Sequence, residues 1–209
     1  EIARLAEADL MPAIGITDTD NLFGALESSE KLAKAGIQPI IGTTILVDFG
    51  NGVGRITLLA MDDAGYASLC KLSSEAHLRP ASGKQPSVAI RMLRKNATGL
   101  LALSGGYGGA LEKHPDDRAL ALWDIFRDRF YVEIQRQGEP DEAVLNDELI
   151  QLADDMNYPI VATHEVYFAT REDHEAHDAL LAIGAGRRLS EDDRRRVSRE
   201  HWFKSQADM

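Results

Sequence analysis

Pro12-Ala13-Ile14-Gly15-Ile16-Thr17-Asp18-Thr19-Asp20, followed by Asn21-Leu22-Phe23-Gly24, sets a short apolar run against a polar turn and then a helical pattern. Residues 12–17 lack polar alternation, as expected of a strand covered on both faces. Residues 22–35 have helical period and stop at Gly36, a residue suited to the left-handed turn that ends a helix. The same unit recurs downstream. Residues 39–47, 56–61, 100–104, 130–135 and 159–163 read as further buried strands, and near-continuous apolarity predicts parallel pairing. Helical patterns cover residues 62–77, 88–96, 116–128, 141–156 and 171–183, with another in the opening residues 1–9. Pro115 and Pro140 stand near two of these starts, where a missing N–H costs little. Ser190 reads as an N-cap, with Glu191, Asp192 and Asp193 in the first turn of one more helix.

Six strands alternating with helices predict an α/β fold, either a barrel or an open doubly wound sheet. Two turn-rich stretches interrupt it. Residues 50–54 predict a hairpin or tight loop, and residues 79–86 form the other. No repeat or long low-complexity linker divides the chain, so its 209 residues are read as one domain. The sequence opens without methionine and within a helical run, which predicts a piece of a longer protein. No apolar run approaches the roughly 18 residues of a membrane span. The single cysteine, Cys70, has no internal partner, which fits a reducing compartment. It falls within Leu69-Cys70-Lys71-Leu72 and is read as a small buried hydrophobe rather than a nucleophile.

A net charge of −11 argues against broad binding of a polyanion, which needs clustered cations. Arg187, Arg188, Arg194, Arg195, Arg196 and Arg199 run against that trend. They form either a surface salt-bridged to Glu191, Asp192, Asp193 and Glu200, or a docking face for another domain or nucleic acid.

Chemistry in such folds gathers at the carboxyl ends of strands. That rule selects residues 17–20, Thr43 and Thr44, residues 104–107, 135–138 and 164–167. Metal ligation needs converging His, Asp, Glu or Cys. These ends offer Asp18, Asp20, His164 and Glu165, alongside Thr19, Thr44, Gly106 and Tyr167, which ligate poorly. Asp18 is read as closing a turn and His164 as bonded to backbone, with ligation the alternative for each. His174 and His177 are spaced i, i+3 rather than the i, i+4 of a zinc-protease helix, so helix surface explains them better. Ser104-Gly105-Gly106-Tyr107-Gly108-Gly109 lacks the lysine of a Walker loop and the spacing of a dinucleotide fingerprint, and reads as a tight turn. Trp123 and Trp202 are assigned to packing.

Read together, residues 11–18, Asn21-Leu22-Phe23-Gly24-Ala25, residues 36–42, 69–76, 103–106, 129–133, Val161-Ala162-Thr163 and Glu175-Ala176-His177-Asp178 resemble, in order and spacing, the PHP domain of bacterial DNA polymerase III alpha subunits. The resemblance implies a distorted seven-stranded β/α barrel, here lacking its first strand, over residues 1–203, with residues 204–209 opening the junction to the polymerase core. Active members of that family hold a trinuclear metal cluster for phosphoester hydrolysis. Carried over by position, the family's ligands fall on Thr19 (usually His), Thr44 (usually Glu), Gly106 (usually Cys), and Glu165 and Tyr167 (usually Asp and His). The amino-terminal His-x-His-like segment has no counterpart, and neither does a histidine near Gly83-Lys84.

The resemblance therefore implies a non-catalytic structural and docking domain of a cytoplasmic, chromosome-replicating DNA-directed DNA polymerase. No catalytic residue, metal or cofactor is expected in this chain, and magnesium is expected in the parent enzyme. The expected partners are the rest of the polymerase chain and a proofreading exonuclease subunit, with DNA met through the parent and no membrane. The alternative is an active metal-dependent phosphoesterase of the proofreading or phosphatase kind.

Overall fold

The computed structural model describes residues 1–209 except 82 and 84, so Lys84 of the Gly83-Lys84 pair and part of the turn at 79–86 lie outside the described residues. Helix α1 (Ile2–Ala8) leads into β1 (Ala13–Ile16), α2 (Ala25–Lys34), β2 (Gln38–Asp48), β3 (Val53–Ala60) and α3 (Asp63–Leu78). There follow β4 (Val88–Ala89), α4 (Ile90–Lys95), β5 (Leu100–Leu103), α5 (Pro115–Phe126), β6 (Phe130–Gln135), α6 (Glu142–Met156), β7 (Ile160–Thr163) and α7 (His174–Gly184). The strands pair in the order β1-β2-β3-β5-β6-β7, with β4 beside β2. Among the described residues no ladder joins β1 to β7, so the sheet curls into an incomplete barrel of mixed α/β type.

The hairpin expected at residues 50–54 is present, and the parallel pairing expected from apolarity holds for only part of the sheet. β3 runs antiparallel to both β2 and β5, while β1–β2, β2–β4, β5–β6 and β6–β7 are parallel. The cause lies in Phe49-Gly50-Asn51-Gly52. Asp48 Oδ1 accepts the Gly50 N–H at 2.9 Å, and Gly50 and Gly52 take φ of 88° and 123°, which glycine alone tolerates at ease. So short a connection reverses the chain, whereas parallel neighbours need a crossover. Apolarity could not reveal direction, because Ile56, Thr57 and Leu58 are all buried whichever way β3 runs.

Strand residues Ile45, Ile56, Leu58, Leu100 and Phe130 meet Leu69, Leu72, Leu93, Leu122 and Phe126 of the helices, all fully buried. Each large side chain contributes about 1.5–3 kcal/mol by leaving water. Helix α3 is capped by Asp62, whose Oδ1 accepts the Gly65 N–H at 2.8 Å. A Cβ on Gly65 would stand 2.0 Å from the Gly99 carbonyl oxygen, so the helix can lie this close only with glycine there. A second cluster joins Ala6, Leu32 and Ile37 with Phe203, tying α1 and α2 to the carboxyl-terminal segment.

Four local expectations are revised. Helix α2 starts at Ala25, because Asn21 Oδ1 accepts the Phe23 N–H at 2.9 Å and holds residues 21–23 in a turn. Helix α4 starts at Ile90, since Val88 and Ala89 pair with Val47 and Asp48 as a seventh strand. No helix follows Ser190. The Glu191 carboxylate instead takes the Arg188 N–H and the Arg187 guanidinium, and Arg194 turns inward onto Asp178. Cys70 is exposed, because Leu69, Leu72 and Ala76 occupy the inward stripe of α3 and leave it outside. No helix of the described residues is long and apolar enough to cross a membrane.

Candidate functional site

The first lip of the barrel mouth forms where β1 runs out. Thr19 continues the strand by one bridge to Thr44 of β2. The Asp20 N–H donates to the Thr44 carbonyl at 2.8 Å, the Thr44 N–H to the Asp18 carbonyl at 3.1 Å, and Thr43 Oγ1 to the same carbonyl at 2.8 Å. Thr44 Oγ1 lies 3.0 Å from Thr57 Oγ1 on β3. Two of the positions singled out by resemblance are therefore adjacent, and the Thr44 hydroxyl is engaged with another hydroxyl. Asp18 closes a turn, as read from the sequence, by accepting the Gly24 N–H on Oδ2 at 2.9 Å. Asp20 points to Arg55, 3.8 Å from its guanidinium.

The second lip forms at the ends of β5, β6 and β7, and its centre is a residue the sequence reading passed over. Glu133 is 4% exposed on β6. Its Oε2 accepts the Gly105 N–H at 2.8 Å, and its Oε1 accepts the Thr163 hydroxyl and, at 3.4 Å, the Gln135 amide. Burial raises its carboxyl above the usual range, against the pull of the Thr163 and Gly105 hydrogen bonds. A carboxylate inside the apolar run Phe130-Tyr131-Val132-Glu133-Ile134 was the available signal. Gly106 sits in the left-handed region at φ 53°, and a Cβ there would meet the Gln135 side chain at 2.4 Å. Gln135 Oε1 also accepts the Tyr107 N–H at 3.2 Å, so its amide fills the space beside that turn. The glycine-rich segment is thus a tight turn, as expected.

Beyond β7 the chain meets its own carboxyl-terminal segment. Tyr167 N–H donates to the His201 carbonyl at 2.9 Å, and Phe203 N–H to the Phe168 carbonyl at 3.0 Å. His164 Nε2 donates to the Trp202 carbonyl at 3.0 Å, the backbone role expected for it, and burial lowers its pKa. His201, 3% exposed, places Nδ1 3.0 Å from the Glu165 carbonyl and Nε2 3.1 Å from Glu139 Oε1. The Tyr167 phenol accepts from Arg195 at 3.1 Å, and that guanidinium stands 5.7 Å from the ring centroid. Burial, with hydrogen bonding to Glu165, pushes the Tyr167 phenol up to about 12. An open cleft of about 200 Å³ is lined here by Tyr107, Glu165, Tyr167, Arg195 and His201 among others. Thr19 and Thr44 do not line it.

His174 Nε2 donates to the Val197 carbonyl at 3.0 Å, and the His177 ring stacks on Tyr167 with centroids 5.4 Å apart. His174 therefore anchors the carboxyl-terminal segment, and His177 packs on the residues that follow β7. The arginine run is mostly paired: Arg194 to Asp178, Arg187 to Glu191, Arg196 to Asp192 and Arg199 to Glu175. Among the described residues, no group of three or more His, Cys, Asp or Glu is placed to hold a metal ion. Trp123 packs on Tyr158 at 4.7 Å, as assigned.

The family model for the PHP domain matches residues 1–137. This chain is a member of the PHP family. Its PHP domain is similar in sequence to the DNA polymerase III subunit alpha of Caulobacter vibrioides, 41% identical over 225 residues, covering 100% of this chain and 20% of that protein. The corresponding subunit of Rickettsia bellii is 37% identical over 218 residues, covering 100% and 19%. That of Vibrio cholerae is 34% identical over 212 residues, covering 95% and 18%. The chain thus spans about a fifth of the length of these curated relatives. Two solved structures share the fold. A protein of Bifidobacterium adolescentis described as a metal-dependent phosphoesterase superposes with a TM-score of 0.53 at 11% identity, covering 77% of this chain and 79% of its own. An amidohydrolase from Chromobacterium violaceum gives 0.52 at 14%, covering 77% and 78%.

Proposed function

We propose that this chain is the non-catalytic structural and docking PHP domain of a DNA-directed DNA polymerase that replicates a bacterial chromosome. Residues 1–203 form the domain and residues 204–209 begin the junction to the polymerase core. The similarity to alpha subunits over the whole chain supports the polymerase parent. The observation that carries the non-catalytic part is the donor set at the family's ligand positions: Thr19, Thr44, Gly106, Glu165 and Tyr167 supply one carboxylate and no imidazole or thiolate. A multinuclear centre needs several anionic or imidazole donors to offset the desolvation of its cations. These residues do not fit one, and Tyr167 is turned to a guanidinium instead. In this reading the partners are the rest of the polymerase chain and the proofreading exonuclease subunit. DNA and magnesium are met by the parent enzyme in the cytoplasm.

The test is phosphoester hydrolysis by the purified protein with manganese or zinc, together with association with the exonuclease subunit. No turnover and a stoichiometric complex are expected. Turnover that Glu165→Ala abolishes would establish the phosphoesterase reading in its place.

A further inference from the structure

The arginines of residues 187–199 are mostly consumed by ion pairs, but a second group of cations is not. Lys71 on α3 and Arg91, Arg94 and Lys95 on α4 take part in no salt bridge among the described residues. All four are exposed, on a chain whose net charge is −11. Lys71 and Lys95 both line a groove of about 380 Å³ between the two helices. Leu78, 79% exposed, and Met92 give the groove an apolar lining, and the aliphatic stems of the lysines extend it. The groove's one carboxylate, Glu75, is 3.9 Å from Arg79 and so already has a cation beside it.

Helix α4 shows how this surface arises. Its Leu93 is fully buried in the main core, which leaves Met92 and Lys95, three residues apart on one side, to line the groove. Arg91 and Arg94 are exposed on the same short helix and add positive charge near the groove. An exposed leucine and two lysines line one groove, and no salt bridge among the described residues engages those lysines, which matches a ligand that is both apolar and negative.

We infer that the α3–α4 groove is a docking site for an acidic amphipathic peptide segment of a partner protein. Apolar side chains of that segment cover Leu78 and Met92, and its carboxylates pair with Lys71, Lys95, Arg91 and Arg94. A nucleic-acid strand is the less suited occupant. A phosphate backbone gains from many cations and has no use for an apolar floor. The inference deepens the docking reading and rests on it. The peptide titration below reads this groove alone, whereas hydrolysis reads the non-catalytic claim, so either can fail separately.

The experiment titrates the full-length protein with a fluorescent peptide of about 14 residues, with leucines at helical spacing and glutamates between them. Anisotropy is read at several salt concentrations. Lys71→Glu with Lys95→Glu is expected to weaken binding by about tenfold or more, and Leu78→Asp by a similar factor. Lys71→Gln with Lys95→Gln is the milder variant should the reversal disturb folding, and it is expected to weaken binding by a smaller factor. Lys34→Glu with Lys113→Glu makes the same net-charge change elsewhere and is expected to leave affinity within about twofold. The inference is overturned if the groove variants bind the peptide like the parent, or if the distant reversal weakens binding as much. It is also overturned if the groove variants lose a single-stranded oligonucleotide while keeping the peptide.

Discussion

The two lips of the barrel mouth differ in what stands at the family's ligand positions. On the β1–β2 lip, Thr19 is drawn into the sheet by its bridge and Thr44 is matched hydroxyl to hydroxyl with Thr57. Neutral side chains there satisfy one another at little cost. On the β5–β7 lip, the positions are surrounded by charge: buried Glu133, Arg195 over Tyr167, and His201 beside Glu139. The difference teaches that two ends of one curled sheet can be closed by quite different means. One lip is ordinary sheet, while the other is a hydrogen-bonded joint that fastens residues 195–203 to residues 164–168 just beyond β7.

That contrast makes the second lip the more sensitive. The largest effect is expected for Glu133→Ala, which strands the Gly105 N–H and the Thr163 hydroxyl in a buried place. It is expected to lower unfolding free energy by about 3 kcal/mol in denaturant titration. Loss of under about 1 kcal/mol would erase the distinction between the lips.

Gly106→Ala comes next. It places a Cβ at positive φ against Gln135, and the expected loss is about 1–2 kcal/mol. Adding Gln135→Ala is expected to recover the steric part alone, so a double-mutant cycle returns a coupling between the two sites.

Thr44→Val probes the quiet lip, with an expected loss of about 1 kcal/mol. A cost equal to that of Glu133→Ala would break the comparison.

Glu133→Gln reads charge without removing the hydrogen-bonding side chain. The folded carboxyl is raised above its unfolded value, so the folded state binds the extra proton between the two. Wild-type stability is then expected to fall as pH rises from the ordinary carboxyl range through the raised value. Glu133→Gln is expected to flatten that part of the profile.

The smallest effect is spectroscopic. One tyrosine is expected to ionise at about 12 in an ultraviolet titration, and Tyr167→Phe is expected to remove that step.

The strands were readable because their apolar runs are short and bounded by turns, and all six read from the sequence lie where the structure has them. Val88 and Ala89 escaped because a two-residue strand has no period to detect, and the direction of β3 was legible only from the turn residues at 50–54, since burial on both faces hides it in the strand itself. The Asp18 turn was readable since an aspartate before a helix start commonly accepts backbone N–H groups. The joint at β6 and β7 was not. Glu133 meets Gly105 across twenty-eight residues, and His201 meets Glu139 across sixty-two, contacts no local pattern announces. The fate of Ser190 was lost for the same reason, because Asp178 draws Arg194 away from any helix of its own.

Calorimetric titration of the purified protein with manganese and then zinc tests the central claim most directly. The account predicts no saturable binding at the mouth, and heats that Glu165→Ala leaves unchanged. Two or three equivalents bound tightly, with the affinity lost in Glu165→Ala, would contradict it.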